Sequence, residues 1–474
     1  MIWLILAASF ILRLIAINQS LWLDEAIGAM AARDFSFFGI LNNFPKFDNH
    51  PPLYYLLLKG ETSLFGFSEI SLRFPSIIFG VATVYFTYIT ARHFVGKKEK
   101  FFPNFCALLL ATSPLHIYYS QEARMYAMAA FLAVVAVYSF LKEKWILFSF
   151  SLAVLVFSDY VPVFLLPVFW IIGFIDRKPK QWWGKLLLSH IPLMILGLFW
   201  LPIFLAQSQA GKWLLSTLPA WKNVAGGATF KQAVLVWMKF VLGRISLMDK
   251  TLYYALVAFF SIPFIVVLVR AWNKRQKVLS IWLYLMIPLI LGFLTSIIFP
   301  AFIYFRFLYV LPAFYILAGW GISQYGKKIG RVLLLGVLGA NLVGWLIYVK
   351  NPYQQREKWR EAVAFVEARA RGDEIVVFEY PEPFTPYRWY QTGRVEAVGA
   401  TDAGSANPEK TRQLTLGLTK ARKAVYYFEY LWDLSDPGRV VESTLVSSGF
   451  ALKEIYDYFP GVGQIKYFTK NERK

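Results

Sequence analysis

Charge is what this sequence has least of. Of its 474 residues only 16% are charged and 57% are hydrophobic, against roughly 25% charged in a soluble domain. That shortage excludes an ordinary soluble globular protein. Cysteine is almost absent: the one thiol, Cys106, lies in an apolar run. It cannot form an intramolecular disulfide, which sets aside redox chemistry and thiolate metal sites. Acid is scarcer than base, 29 Asp and Glu against 49 Lys and Arg, a net charge of +20. The ~10-residue alternating segments of a β-barrel are missing, and so are internal repeats and low-complexity tracts.

What is present is a series of long apolar runs separated by short basic gaps, the pattern of a polytopic helical membrane protein. Met1–Asn18 reads as a retained first span, because it has neither a basic n-region nor a small-residue cleavage site. Further spans are expected near 70–94, 102–119, 122–141, 145–157, 160–175, 186–206, 252–271, 279–299, 304–323 and 331–349. That makes about eleven transmembrane helices of ~20 residues, with 145–157 too short for an upright crossing.

If the spans alternate, the loops GKKEK, KEK, DRKPKQWWGK, RAWNKRQK and QYGKKIGR share one side. They hold 16 basic and 3 acidic residues, which makes that side cytoplasmic. The expectation is a multi-pass plasma (inner) membrane protein with a cytoplasmic N-terminus. The outer side receives residues 20–69, the turns SQEAR, SDY and FPAFIY, the segment 207–251 and the C-terminal tail. Residues 1–350 carry 31 Lys and Arg against 12 Asp and Glu, and residues 351–474 carry 18 against 17. The basic excess therefore belongs to membrane loops, where topology and anionic lipid account for it better than nucleic acid does.

The chain changes character after Lys350. Residues 1–350 read as the transmembrane domain, with juxtamembrane helices in 20–69 and 207–251. Residues 351–474 read as a small soluble α/β domain on the extracytoplasmic side. There Ala362, Val363, Phe365, Val366 and Ala370 share a helical face, and EIVVFEY, KAVYYFEY and GQIKYFTK have strand character. In 207–251, FKQAVLVWMKFVLGRI mixes Lys and Arg with Val, Trp and Phe, and is expected to lie in the interface plane.

Nine of the twelve carboxylates before residue 351 fall on the outer side. Asp24 and Glu25 open a short helix there, with Ile27, Met30, Ala31 and Phe35 along one side. A helix cap explains one acid well. A carboxylate beside apolar walls at a bilayer surface also suits a general base or a metal ligand. In FDNHPPLYYLLLK, Asp48 and His50 precede a proline pair that starts a helix. They read either as a capped turn or as a cluster for a phosphate or a divalent metal, the one cofactor the residues admit. Arg73 stands in the first turn of the second span, where an arginine snorkels or binds a lipid phosphate. In SPLHIYYSQEARMYAMAA, Glu122, Arg124 and Tyr126 fall in the first turns of the span expected at 122–141. Arg124 sits there at the unfavourable end of a helix dipole and calls for a partner. Arg306 lies in an apolar, aromatic run, where a charge is costly unless it functions or pairs. Asp159 reads as a helix cap.

These pieces in this order, DE after the first span, FDNHPPLYYL, SLRFPS and SQEARMYA, resemble the GT-C membrane glycosyltransferases. The resemblance is to the dolichyl-phosphate-mannose protein mannosyltransferases and their bacterial relatives, including the aminoarabinose transferase that modifies lipid A. It implies that Asp24, with Glu25 beside it, is catalytic and that His50-Pro51-Pro52 and Asp48 match the HPP-type segment. Arg73, Arg124 and Arg306 are then the cations for a donor phosphate. Asp48, His50, Glu122 and Tyr126 would bind sugar, orient the base or hold a metal. The implied activity is inverting sugar transfer from a polyprenyl-phosphate donor to a lipid, glycan or protein acceptor, amid membrane lipids and without nucleic acid. Asn49-His50 stand where the aminoarabinose branch has acid-Lys, which leans towards the mannosyltransferase branch. A transporter or flippase, or a non-catalytic subunit of an envelope complex, is the alternative class.

Overall fold

The structure is a computed structural model that describes residues 1–470 except 97, 98, 100, 219 and 220. Lys97, Lys98 and Lys100 of the first basic loop therefore lie outside the described residues. The chain forms two compact units. One comprises 1–17, 35–207 and 225–354, the other 18–34, 208–224 and 355–474. Residues 18–34 and 208–224, read from the sequence as outer-loop segments, thus belong with the tail.

The first unit is helical. Glu69–His93, Lys180–Thr217 (counted with this unit as far as Gln207), Lys250–Asn273, Tyr304–Ser323 and Lys327–Lys350 are long and apolar enough to cross a membrane. Shorter apolar helices, Ile2–Leu14, Phe101–Ala111, Tyr126–Leu141, Trp145–Ser158, Val161–Ile175 and Leu279–Thr295, account for the other runs. Their starts are chemically marked. Ser68 Oγ accepts from Ser71 N at 3.1 Å, and Asp249 Oδ1 accepts from Leu252 N at 3.0 Å, each satisfying an orphan donor of a first turn.

Two expected spans are interrupted. Residues 102–119 divide into Phe101–Ala111 and Pro114–Ser120, because Ser113 caps and Pro114 begins the second piece. The next helix starts at Tyr126, so Gln121 to Met125 form a buried turn between helices. Glu122 and Arg124 are turn residues and not part of a first helical turn. Tyr304–Val310 is a 3-10 segment kinked at Phe307, and the α-helix begins at Leu311 beside Pro312. Pro51 and Pro52 precede the helix Leu53–Phe65 instead of occupying its first turn.

The second unit contains a five-stranded mixed sheet: β1 (Glu374–Phe378), β2 (Glu396–Gly399), β3 (Ala424–Phe428), β4 (Phe450–Tyr456) and β5 (Ile465–Lys470), in the order β2-β1-β3-β5-β4. β2, β1 and β3 run parallel and β5 returns antiparallel to β3. Both faces are covered: Val376, Phe378 and Phe428 pack with Trp359 and Val363, while Val377 and Tyr427 pack with Val441 and Leu445. The helix Leu23–Asp34 packs against Thr385–Tyr390 of the tail. It buries the small residues Ala26, Gly28, Ala29, Ala31 and Ala32 and leaves Ile27 and Met30 half-buried. Alanine and glycine allow the close helix approach that the bulkier stripe would prevent.

Candidate active site

In the first unit a chain of polar groups runs through otherwise apolar surroundings. His50 Nδ1 lies 2.8 Å from Asp48 Oδ1, which also accepts from His50 N at 2.8 Å. Arg124 Nη2 lies 3.2 Å from His50 Nε2, and Arg124 Nη1 donates to Tyr55 Oη at 2.9 Å. The network holds the imidazole ring between the carboxylate and the guanidinium. Burial works against the Asp48 charge, but His50 and Arg124 outweigh burial and hold the carboxyl at about 2.

Backbone carbonyls on either side of this triplet are tied down by Gln207, whose Nε2 donates to Asp48 O at 2.7 Å and His50 O at 3.2 Å. Tyr160 Oη donates to Gln207 Oε1 at 2.7 Å, and Trp200 Nε1 donates to Tyr160 Oη at 2.7 Å. Asp159 ends the helix Trp145–Ser158 and accepts from Val161 N at 3.1 Å, while the cap position of the next segment is Tyr160. It also lies in the field of His50, Arg306 and Arg124, while burial raises its carboxyl. The SDY turn thus joins the cluster, which a cap reading alone does not capture. Arg306 is half-buried on the 3-10 segment.

A second group of side chains adjoins it through the turn Gln121–Met125. Glu122 is buried and lies, with Tyr118, Tyr119 and Tyr304, in the field of Arg244. Tyr126 packs its ring on Tyr119 and Phe305, each at 5.3 Å. Arg244 and Lys239 went unrecognised in the sequence, since basic residues on an amphipathic stretch read as interface contacts. Arg73 is buried and donates to the carbonyl of Ile17 at 2.6 Å, three residues past the end of the first helix at Leu14.

Asp24 and Glu25 belong to the second unit. Asp24 is half-buried and Glu25 buried. The segment that carries them is pinned within that unit: Leu21 N donates to Tyr390 Oη at 2.7 Å, and Arg356 N donates to Gln19 Oε1 at 2.8 Å. Asp24 and Glu357 both act on the Tyr430 hydroxyl, which burial pushes up first and the two carboxylates push further. Tyr430 Oη donates to Glu357 at 3.1 Å. No signal in the tail sequence pointed to Glu357 or Tyr430 as neighbours of Asp24.

Among the described residues no three His, Cys, Asp or Glu side chains converge as a metal site. The candidate pair Asp48 and His50 does not fit a cation either. The carboxylate is engaged by the imidazole, and a guanidinium occupies the approach to Nε2.

Residues 49–206 match the family described as dolichyl-phosphate-mannose-protein mannosyltransferase. The match begins beside Asp48 and takes in His50, Arg73, Glu122, Arg124 and Asp159. No curated protein sequence matches the chain. Among solved structures, apo ArnT from Cupriavidus metallidurans aligns over 98% of this chain and 97% of its own at a TM-score of 0.60 and 11% identity. The same protein bound to undecaprenyl phosphate gives 0.59 and 11% over 99% and 97%. The Archaeoglobus fulgidus oligosaccharyltransferase, in complex with Zn and sulfate, gives 0.53 and 13% over 98% and 73%. The family match covers about a third of the chain, residues 49–206, and the likeness to the solved structures, near-complete in coverage at such low identity, is one of fold.

Proposed function

We propose that the chain is an inverting glycosyltransferase that moves a sugar from a polyprenyl-phosphate donor to an acceptor hydroxyl at the outer face of the plasma membrane. In this reading it crosses the membrane eleven times and carries 351–474 outside. The carrying observation is the acid–imidazole–guanidinium chain Asp48–His50–Arg124, with Arg306 and Asp159 in its field, built where apolar helices break into turns. Ordered positive charge in a low-dielectric setting suits stabilisation of a leaving phosphate. The undecaprenyl phosphate bound to ArnT supports a lipid phosphate as the anionic partner.

The reaction balances simply. Asp24, beside Glu25, accepts the proton of the acceptor hydroxyl, whose oxygen forms the new bond to the anomeric carbon. The carbon–oxygen bond to the phosphate breaks on the opposite face, which inverts that carbon, and the phosphate leaves with the electron pair. Arg306, Arg124 and Arg244 stabilise the charge that develops there. Arg73 supports this set by fixing the chain at Ile17, just after the first helix. Asp48 and His50 orient Arg124, and Glu122 and Tyr126 line the sugar side.

The test is transfer from a polyprenyl-phosphate sugar by the purified chain in nanodiscs. Asp24→Asn is expected to fold and bind donor while losing ~10²–10⁴-fold in turnover, the usual scale of a general base. Turnover by that variant close to that of the unmodified chain removes Asp24 as the base.

A further inference from the structure

The turn that follows helix Phe230–Leu242 carries Arg244, whose guanidinium lies 4.8 Å from the centre of the Tyr118 ring. That turn is held unusually firmly, and each restraint has a separate cause. Gly243 ends the helix at φ +81°, and a Cβ there would stand 2.8 Å from Pro114 Cβ. A Cβ on Gly344 would overlap the carbonyl oxygen of Leu242 and stand 3.0 Å from Pro114 Cγ, so the helix Lys327–Lys350 also packs closely on the start of the turn. Ser246 N donates to Gln354 Oε1 at 2.8 Å, and Gln354 Nε2 donates back to Ser246 O.

The remaining restraint is Lys239. Its Nζ donates to the carbonyl of Ile245, next to Arg244, and to Tyr253 Oη at 3.2 Å. The ammonium also lies 5.4 Å from the Tyr253 ring centre and 5.9 Å from that of Tyr304. Lys239 is only 6% exposed. A buried ammonium balanced by dipoles and rings instead of a carboxylate is expensive to fold around. An apolar side chain would fill the same space at lower cost. What Lys239 does that an apolar side chain cannot is hold the Ile245 carbonyl.

We propose that Lys239 is a positioning residue whose ammonium clamps the 243–246 turn and so aims Arg244 at the anionic headgroup of the lipid-phosphate donor. The clamp rests on the glycosyltransferase reading above. It also explains the crowding of like charge. Arg244 and Lys250 both act on Lys239, and a phosphate bound at Arg244 relieves that repulsion. The groups that face this pair come from every packed element: Tyr253 and Lys250 from Lys250–Asn273, Tyr304 from the 3-10 segment, and Tyr118, Tyr119 and Glu122 around Arg244. From the helix Lys327–Lys350, Tyr348 stacks its edge on Tyr118 at 5.2 Å.

Burial, aided by Arg244 and Lys250, lowers Lys239 to about 7. The clamp is therefore charged below neutral pH and loses its charge as pH rises through that value. The experiment is binding of undecaprenyl phosphate to the full chain in nanodiscs between pH 6 and 9. The unmodified chain is compared at each pH with Lys239→Met, Lys239→Arg and Arg244→Gln, because the probe's own phosphate titrates in this range.

Relative to Lys239→Met, the unmodified chain is expected to bind more tightly at pH 6, and the advantage should shrink by pH 9. A displacement of ~1 Å can cost up to ~10²-fold, so a ten- to hundredfold loss at pH 6 is expected. Lys239→Arg should keep the advantage at pH 9, since a guanidinium stays charged. The melting temperature of Lys239→Met should equal or exceed that of the unmodified chain, because a buried charge has gone. Equal affinity and an identical pH profile in Lys239→Met overturn the clamp, as does a loss of binding that merely tracks a lowered melting temperature. If the unmodified chain and Arg244→Gln both fail to bind, the glycosyltransferase reading itself falls and the clamp with it.

Discussion

At the scale of single residues the question is what His50 is for. Its neighbours answer it: Asp48 on Nδ1 and Arg124 on Nε2 make the imidazole a rigid spacer that transmits the acid's position to the guanidinium. A spacer needs no metal, so transfer is expected to survive EDTA; loss on chelation with recovery on adding one divalent ion would contradict this. Arg124→Lys keeps the charge but loses the planar fork that reaches Tyr55 and His50 together. It should lower turnover by ~10- to 100-fold, the scale of a positioned charge lost from its place, with the fold intact by melting temperature. Asp48, His50 and Arg124 were legible in the sequence because polar residues stand out in apolar runs. Lys239 and Arg244 were not, because their meaning depends on a turn formed against Pro114 and Gly344, over a hundred residues away in each direction.

At the scale of elements, hydropathy located every apolar run, and each expected span overlaps one apolar helix. It could not show the breaks within them. Pro114 and the turn before Tyr126 interrupt runs that stay hydrophobic throughout, and it is these breaks that place Glu122 and Arg124. In the tail, β1, β3 and β5 were legible as apolar runs, whereas β2 and β4 were not. β4 exposes its middle residues Leu452 to Ile455, so period-2 alternation is lost. Helix packing offers a sharper test. A Cβ on Gly321 would overlap the carbonyl of Val267, so the helices Leu311–Ser323 and Lys250–Asn273 meet backbone to backbone, as small residues permit in membrane bundles. Gly321→Ala must push them apart. It should cost ~1–3 kcal/mol as overpacking does, read as a lower detergent melting temperature. An unchanged melting temperature would show that this approach is not required for stability.

At the scale of the whole molecule the two units answer to different physics. The first is a set of apolar helices, whereas the second adds a polar network to the apolar packing on both faces of its sheet. Arg439 and Lys466 each bond both Glu429 and Glu442, closing a ring of ion pairs. Beside that ring Glu379 is 0% exposed, and neither carboxyl oxygen has a hydrogen-bond partner among the described residues. The sheet explains the placement. Phe378 pairs in register with Phe428, so Glu379 and Glu429 follow at the carboxyl ends of two adjacent parallel strands. Burial first, then Asp436 and Glu429, push the Glu379 carboxyl from 4.5 to about 9. A carboxyl raised in the folded state takes up a proton on folding, so its contribution is fully present below about 4.5 and is lost as pH rises towards about 9. Stability of the second unit should therefore fall across that window. Melting of the whole chain is the wrong readout, since two units need not unfold together. Hydrogen exchange at Val376–Phe378 and Val425–Phe428, corrected for intrinsic rate, should show protection declining between pH 5 and 9. Glu379→Gln, neutral at every pH, should flatten the decline while exchange in the helix Leu311–Ser323 stays unaffected. An equal decline in the variant would mean that some other group carries the pH dependence of this sheet.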